Sequence, residues 1–143
     1  MKCPTILLVW LMILSTDAKA LEEQAIDLDD LRWKYRVILV SAHEPDTSNA
    51  LANLNELAAE IEERDIAWFV LGDGDLHTNF KGKLNHTLRD QIVDRYFTPV
   101  PKETSVLLIG KDGTLKSQSS DLNLEATFGL IDQMPMRREE MRR

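Results

Sequence analysis

Residues 36–42 read RVILVSA and residues 66–71 read IAWFVL. Each run is apolar almost throughout and rich in β-branched or aromatic side chains, the composition of a strand covered on both faces. Between them, His43-Glu44-Pro45-Asp46 breaks the chain. Pro45 disfavours helix in the residue before it, and Asp46 or Thr47 is placed to cap a helix that follows. That helix is predicted over residues 48–64, where Leu51, Leu54, Leu57, Ala58 and Ile61 form one apolar stripe at steps of three and four. Glu56, Glu60, Glu62 and Glu63 fall mostly off it. Gly72-Asp73-Gly74-Asp75 stops the second run. Strand, helix, strand is a βαβ unit, which makes the two strands parallel and the crossover right-handed.

Working outward, residues 76–85 show no periodicity and are predicted as a loop. A second helix is expected over residues 86–97, with Leu88, Ile92, Val93 and Tyr96 inward and Pro99 and Pro101 ending it. Residues 105–110 (SVLLIG) read as a third strand. Lys111-Asp112-Gly113 turns it into an edge strand at 114–118; an Asp-Gly hairpin of the primed type needs positive φ at both central residues. A last helix carries Leu124, Phe128 and Ile131 and is ended by Pro135, after which the charged residues 137–143 are expected to fray. On the other side, residues 21–34 form a lead-in. There Leu28, Leu31 and Trp33 are expected to pack against the domain, and Asp27, Asp29 and Asp30 to cap a brief helical turn. The order β-α-β-α-β-β-α implies an α/β sandwich of three layers: a four-stranded mixed sheet with helices on both faces.

The 143 residues, 43% hydrophobic and 29% charged, suit one globular domain rather than a disordered chain. Lys2, the apolar run ILLVWLMIL at 6–14 and Ala18-Lys19-Ala20 make the pattern of a secretory signal. The run is too short for a spanning helix, which needs roughly 20 apolar residues. The expectation is therefore a leader at 1–20, a single domain at 21–143 with no membrane span after cleavage, and a secreted or periplasmic location. The one cysteine, Cys3, leaves with the leader. What remains has no thiolate nucleophile, disulfide or cysteine metal ligand. Removing Lys2, Lys19 and Asp17 takes the net charge from −7 to −8. Such a surface repels phosphate backbones and anionic headgroups, so nucleic acid is excluded as a partner.

Three strings narrow the fold: Glu63-Arg64-Asp65, Gly110-Lys111-Asp112-Gly113 after an apolar strand, and residues 130–141 (LIDQMPMRREEM). Together they resemble the bacterial branch of the DUDES family over residues 27–141. These are thioredoxin-like domains of unknown function related to equarin and to sushi-repeat-containing proteins. The resemblance implies a thioredoxin-like fold and an extracytoplasmic setting, and it brings no catalytic residues. Redox-active thioredoxins place Cys-x-x-Cys after the first strand of the βαβ unit and a cis-proline just before the third. The corresponding stretch here is His43-Glu44-Pro45-Asp46-Thr47-Ser48, and the proline position falls near Thr104. The resemblance thus implies the scaffold without its reactive atoms.

Two candidate sites remain. Residues His43, Glu44, Asp46, Thr47 and Ser48 occupy the end of a central strand and the start of a helix, where free N–H groups attract anions. His43 has an acid–base character suited to neutral pH, and the plainer alternative is helix capping with solvated neighbours. Met134, Met136, Arg137 and Arg138 combine flexible thioethers with guanidiniums. That suits either a docking edge or an internal seam in which the arginines pair with Asp132, Glu139 or Glu140. Asp73, Asp75, His77 and Asn79 alternate through a loop in a manner suggestive of metal ligation. Counted from Asp73, however, a calcium loop would need glycine at Thr78 and glutamate at Leu84. No metal site, cofactor motif, nucleophile elbow or phosphate loop is predicted. The leading expectation is a non-catalytic module binding a protein or small ligand. The alternative is a thiol-independent enzyme, with or without a metal, using His43 and the 73–79 loop, and a third is a purely structural surface protein.

Overall fold

The computed structural model describes residues 24–143; the leader reading, with Cys3, lies outside the described residues. The sheet is built from β1 (Arg36–Ser41), β2 (Ile66–Leu71), β3 (Leu76–Thr78), β4 (Ser105–Ile109) and β5 (Leu115–Ser119), in the order β3-β2-β1-β4-β5. β1 and β2 are parallel, Arg36 opposite Ile66, and all other pairings are antiparallel. The three apolar runs are buried at every residue, as strands covered on both faces must be.

Alternation along these strands divides the interior into two cores. Ile38, Val40, Trp68, Val70, Val106 and Leu108 face α1 (Asp46–Glu56), α2 (Ala58–Glu63) and α4 (Leu124–Asp132), meeting Leu54, Ile61, Phe128 and Ile131. Val37, Leu39, Phe69, Leu71, Leu107 and Ile109 face α3 (Leu88–Tyr96) and the amino-terminal turn, meeting Leu88, Ile92 and Leu31. The three-layer expectation holds in this form.

The sheet has five strands, not four. Residues 76–78, expected as loop, return antiparallel to β2 with Leu76 opposite Leu71. Three residues are too few to show a period of two. The one available signal was Asp73-Gly74, a hairpin dipeptide read only as a stop. The helix expected over 48–64 starts earlier and is interrupted at Leu57 (φ −101°, ψ 28°), where neither glycine nor proline marks a break. The caps expected from Asp46 or Thr47 are not made; the cap position is Pro45, with no side-chain bond. At the 110–114 turn only Gly113 takes positive φ (80°) and the register shifts between Leu108 and Ile109. The hairpin is therefore of the bulged kind rather than the two-residue primed kind. Residues 137–143 do not fray as expected, because α5 spans Pro135–Met141. Pro135 ends one helix and, having no N–H to lose, opens the next.

At the amino-terminal side, Leu28–Leu31 forms the expected single 3-10 turn, with the Asp30 carboxylate accepting the Asp27 N–H at 2.8 Å. Leu31 is buried, but Trp33 does not pack: it is 63% exposed.

Candidate functional site

The end of the sheet where β1 and β2 finish gathers three loops. His43 leaves β1 and its Nδ1 lies 2.5 Å from Oδ1 of Asp73, in the turn after β2. Its Nε2 lies 3.4 Å from the Pro101 carbonyl oxygen, in the segment before β4. Asp46 accepts a 2.7 Å hydrogen bond from the Thr104 hydroxyl, so the position facing the loop is a threonine. The Ser48 hydroxyl donates to Glu44 at 2.7 Å. The cis peptides of the described residues are Glu44-Pro45 and Thr98-Pro99, neither of which immediately precedes β4.

Both partners of the His43 ring are acceptors, a carboxylate and a carbonyl. Only the doubly protonated ring can donate to both. The Asp73 hydrogen bond first, then the Pro101 carbonyl, then the Asp73 charge, raise the His43 pKa above its ordinary 6.5. When protonated, the ring can donate to both and act as an imidazolium strut between three loops on an exposed polar surface. Thr47 is different. It is buried, its hydroxyl has no hydrogen-bond partner, and its side chain lies against Gly72. A side chain added at Gly72 would place its Cβ 3.3 Å from the Thr47 methyl, so glycine here permits the close approach.

The other members of the 73–79 set do not join His43 and Asp73. The Asp75 carbonyl accepts the Gly72 N–H, and His77 sits opposite Val70 in β3. Asn79 lays its amide along β2, accepting the Trp68 N–H and donating to the Ile66 carbonyl, both at 2.9 Å. It thereby continues the short β3 by a side chain, satisfying an edge that would otherwise be open. Among the described residues, no group of three or more His, Cys, Asp or Glu side chains is placed to hold a metal ion.

The second candidate set lies at the opposite end of the sheet and splits in two. Arg137 is 5% exposed. Its guanidinium reaches Asp132 at 3.2 Å, the Glu63 carboxylate at 2.8 Å and the Glu63 carbonyl at 3.1 Å. Arg64 grips the same Asp132 at 2.8 and 3.0 Å and lies over the Phe128 ring. The buried Lys111 ammonium bonds Glu140 at 2.6 Å and Asp65 at 2.9 Å. Hydrogen bonding from Arg64 outweighs burial and, with Arg137, holds Asp132 below the usual aspartate range. Burial pushes the Glu140 carboxyl up, but Lys111 and Arg36 overcome it and hold the group below its usual range. Met134 packs against the first core, whereas Met136 and Arg138 face solvent. The three distinctive strings of the sequence thus converge on one ionic seam joining α5 to the sheet. Arg36, also in that seam and 1% exposed, carried no signal beyond being a charge at the mouth of an apolar run.

A family model described as "Domain of unknown function (DUF4174)" matches residues 27–140. Among solved structures, the chain is similar to the mitochondrial 2-Cys peroxiredoxin from Plasmodium falciparum, with 14% identity over 75% of this chain and 79% of that one and a TM-score of 0.50. At that identity the likeness shows the fold alone: a thioredoxin-like mixed sheet flanked by helices.

Proposed function

The chain belongs to the DUF4174 family, and on that footing we propose that it is an exported, non-catalytic binding module whose working surface is the loop end around His43. One observation carries this reading: both ring nitrogens of His43 face acceptors. A general base must offer a free nitrogen to its substrate, and in the protonated ring both nitrogens are occupied by these acceptors. The rest of the surface is polar and cross-tied, with Glu44, Asp46 and Ser48 exposed. Its carboxylates suit a basic protein segment or a cationic small ligand. No cysteine occurs after Cys3, so the scaffold lacks the sulfur that thioredoxin-like oxidoreductases need.

The coincidence of 27–140 with the region carrying the DUDES motifs supports placing the chain in the bacterial branch of that family, and the leader pattern at 1–20 supports export. The metal-dependent alternative draws no support from the site, since Asn79 is spent on the backbone of β2 and, among the described residues, no group of three or more His, Cys, Asp or Glu is placed to hold a metal ion.

The test has two arms. The processed protein is assayed for insulin disulfide reduction and peroxide consumption, where no turnover is expected and turnover in either overturns the reading. A partner captured by the immobilised protein should be lost from the Glu44→Lys variant and retained by Arg138→Ala; retention by both places the binding surface elsewhere.

A further inference from the structure

His43 stands between two acceptors that a single ring cannot satisfy at every pH. Its Nδ1 lies 2.5 Å from the Asp73 carboxylate and its Nε2 lies 3.4 Å from the Pro101 carbonyl oxygen. The imidazolium donates to both, whereas the neutral ring carries one N–H and donates to one. The second contact then sets lone pair against lone pair. Ring and carboxylate are both at the surface, 46% and 62% exposed, so the proton comes and goes without any opening of the fold.

The charges around the ring decide what that proton controls. The turn after β2 carries Asp73 and Asp75, the start of α1 carries Glu44 and Asp46, and the segment before β4 carries Lys102 and Glu103. From α3, Arg89 turns its guanidinium onto the Gly72 carbonyl at 3.3 Å. Glu44 and Asp46 bond neutral hydroxyls, those of Ser48 and Thr104, and those bonds leave their charge uncompensated. Asp73 differs, because its counter-charge is one that pH switches. It spends Oδ1 on the ring, and its exposure leaves a second cation room to reach it. At the same joint the Thr47 hydroxyl is buried against Gly72 with no partner. An orphaned buried group calls for a bound group or a shift of the turn to complete it.

We propose that the proton on His43 and a cationic side chain of the partner compete for Asp73, so that the loop end takes a basic peptide segment more tightly as the ring loses its proton. This rests on the binding role proposed above and adds its regulation. The carboxylates are carried on three loops, so a segment with repeated charges meets several of them where a small ion meets one. The Asp73 hydrogen bond, then the Pro101 carbonyl, then the Asp73 charge, raise the ring's pKa, so the imidazolium persists to higher pH than that of an unpaired histidine. Linkage makes the competition reciprocal: the segment, once bound, drives the proton off.

The processed protein is titrated calorimetrically, in low salt, with an end-capped tetra-arginine peptide at about pH 5.5 and about pH 9, where the guanidiniums stay charged. Binding should be about threefold weaker at the lower pH, the effect of two like charges roughly 6 Å apart in water. Between those pH values, heats compared in two buffers of different ionisation enthalpy should show proton release on binding. His43→Gln should bind equally at both, while His77→Gln and His86→Gln keep the parent's ratio. Methylguanidinium, with one charge, should bind about tenfold more weakly than the peptide. Equal or tighter peptide binding at the lower pH, a ratio that survives His43→Gln, or proton uptake on binding would overturn the competition and leave the binding role standing. Methylguanidinium binding as tightly as the peptide would overturn the segment as occupant. No peptide binding at either pH would overturn the cationic partner of the binding role, and the competition with it.

Discussion

Arg36, at the first position of β1, and Glu140, in the last turn of α5, are joined by two parallel hydrogen bonds of 3.2 and 3.3 Å across 104 positions of chain. The guanidinium is 1% exposed, and its remaining bond goes to the Arg64 carbonyl at 2.9 Å. Lys111 approaches the same carboxylate. Glu140 therefore serves as counter-charge to two buried cations, with Asp65 sharing Lys111. Arg137 is the one buried residue of α5, so ionic contacts rather than an apolar face hold that helix down.

Glu140→Ala should cost about 3–5 kcal/mol, because it leaves Arg36 and Lys111 buried with less counter-charge. A urea midpoint measures this. Arg138→Ala, two residues away on the exposed side, should change stability by less than about 0.5 kcal/mol.

Acid should loosen the same seam. Glu140 and Asp132 have folded pKa values depressed below 4.5 and 3.8. Their contributions are present in full above those ordinary values and are lost as pH falls through the lower folded ones, since the unfolded chain binds protons first. Asp112, held at about 2 by the Thr114 N–H, Lys116 and the Thr114 hydroxyl, retains its charge longest. Stability followed from pH 6 downward should begin to fall below about pH 5, and Glu140→Gln should flatten that limb.

Asn79→Ala should destabilise by about 2 kcal/mol, by stripping partners from two backbone groups of β2. Zinc or calcium should leave the melting temperature unchanged in the parent and in this variant alike. A metal-dependent rise in the parent would restore the 73–79 loop as a ligand set.

The central strands and their parallel unit were legible because each buried run is written as an unbroken apolar stretch, and the facing helices keep a regular stripe. Features resting on single side chains were not. β3 is too short to show a period, and Asn79 does by an amide what a strand does by its backbone. Of the candidate site, the sequence named His43 and, in the enzyme alternative, the 73–79 loop, but not the pairing with Asp73 itself, because the 30 positions between them are closed only by the crossover. The Met134–Arg138 string was legible as meaningful, yet its pairing could be settled only in three dimensions, where Arg137 turns in and Arg138 turns out.

The account stands most directly on the protonation of His43, measured by an NMR pH titration of its ring nitrogens in the parent and in Asp73→Asn. The parent ring should titrate above 6.5, with both nitrogens protonated below that point, and the variant should move back toward the ordinary value. The strut's contribution to stability should then be complete below the unfolded pKa and fade as pH rises through the raised one. A parent His43 titrating at or below 6.5 with Nε2 bare near neutrality would contradict the account, leaving a free base at the loop end and reopening catalysis.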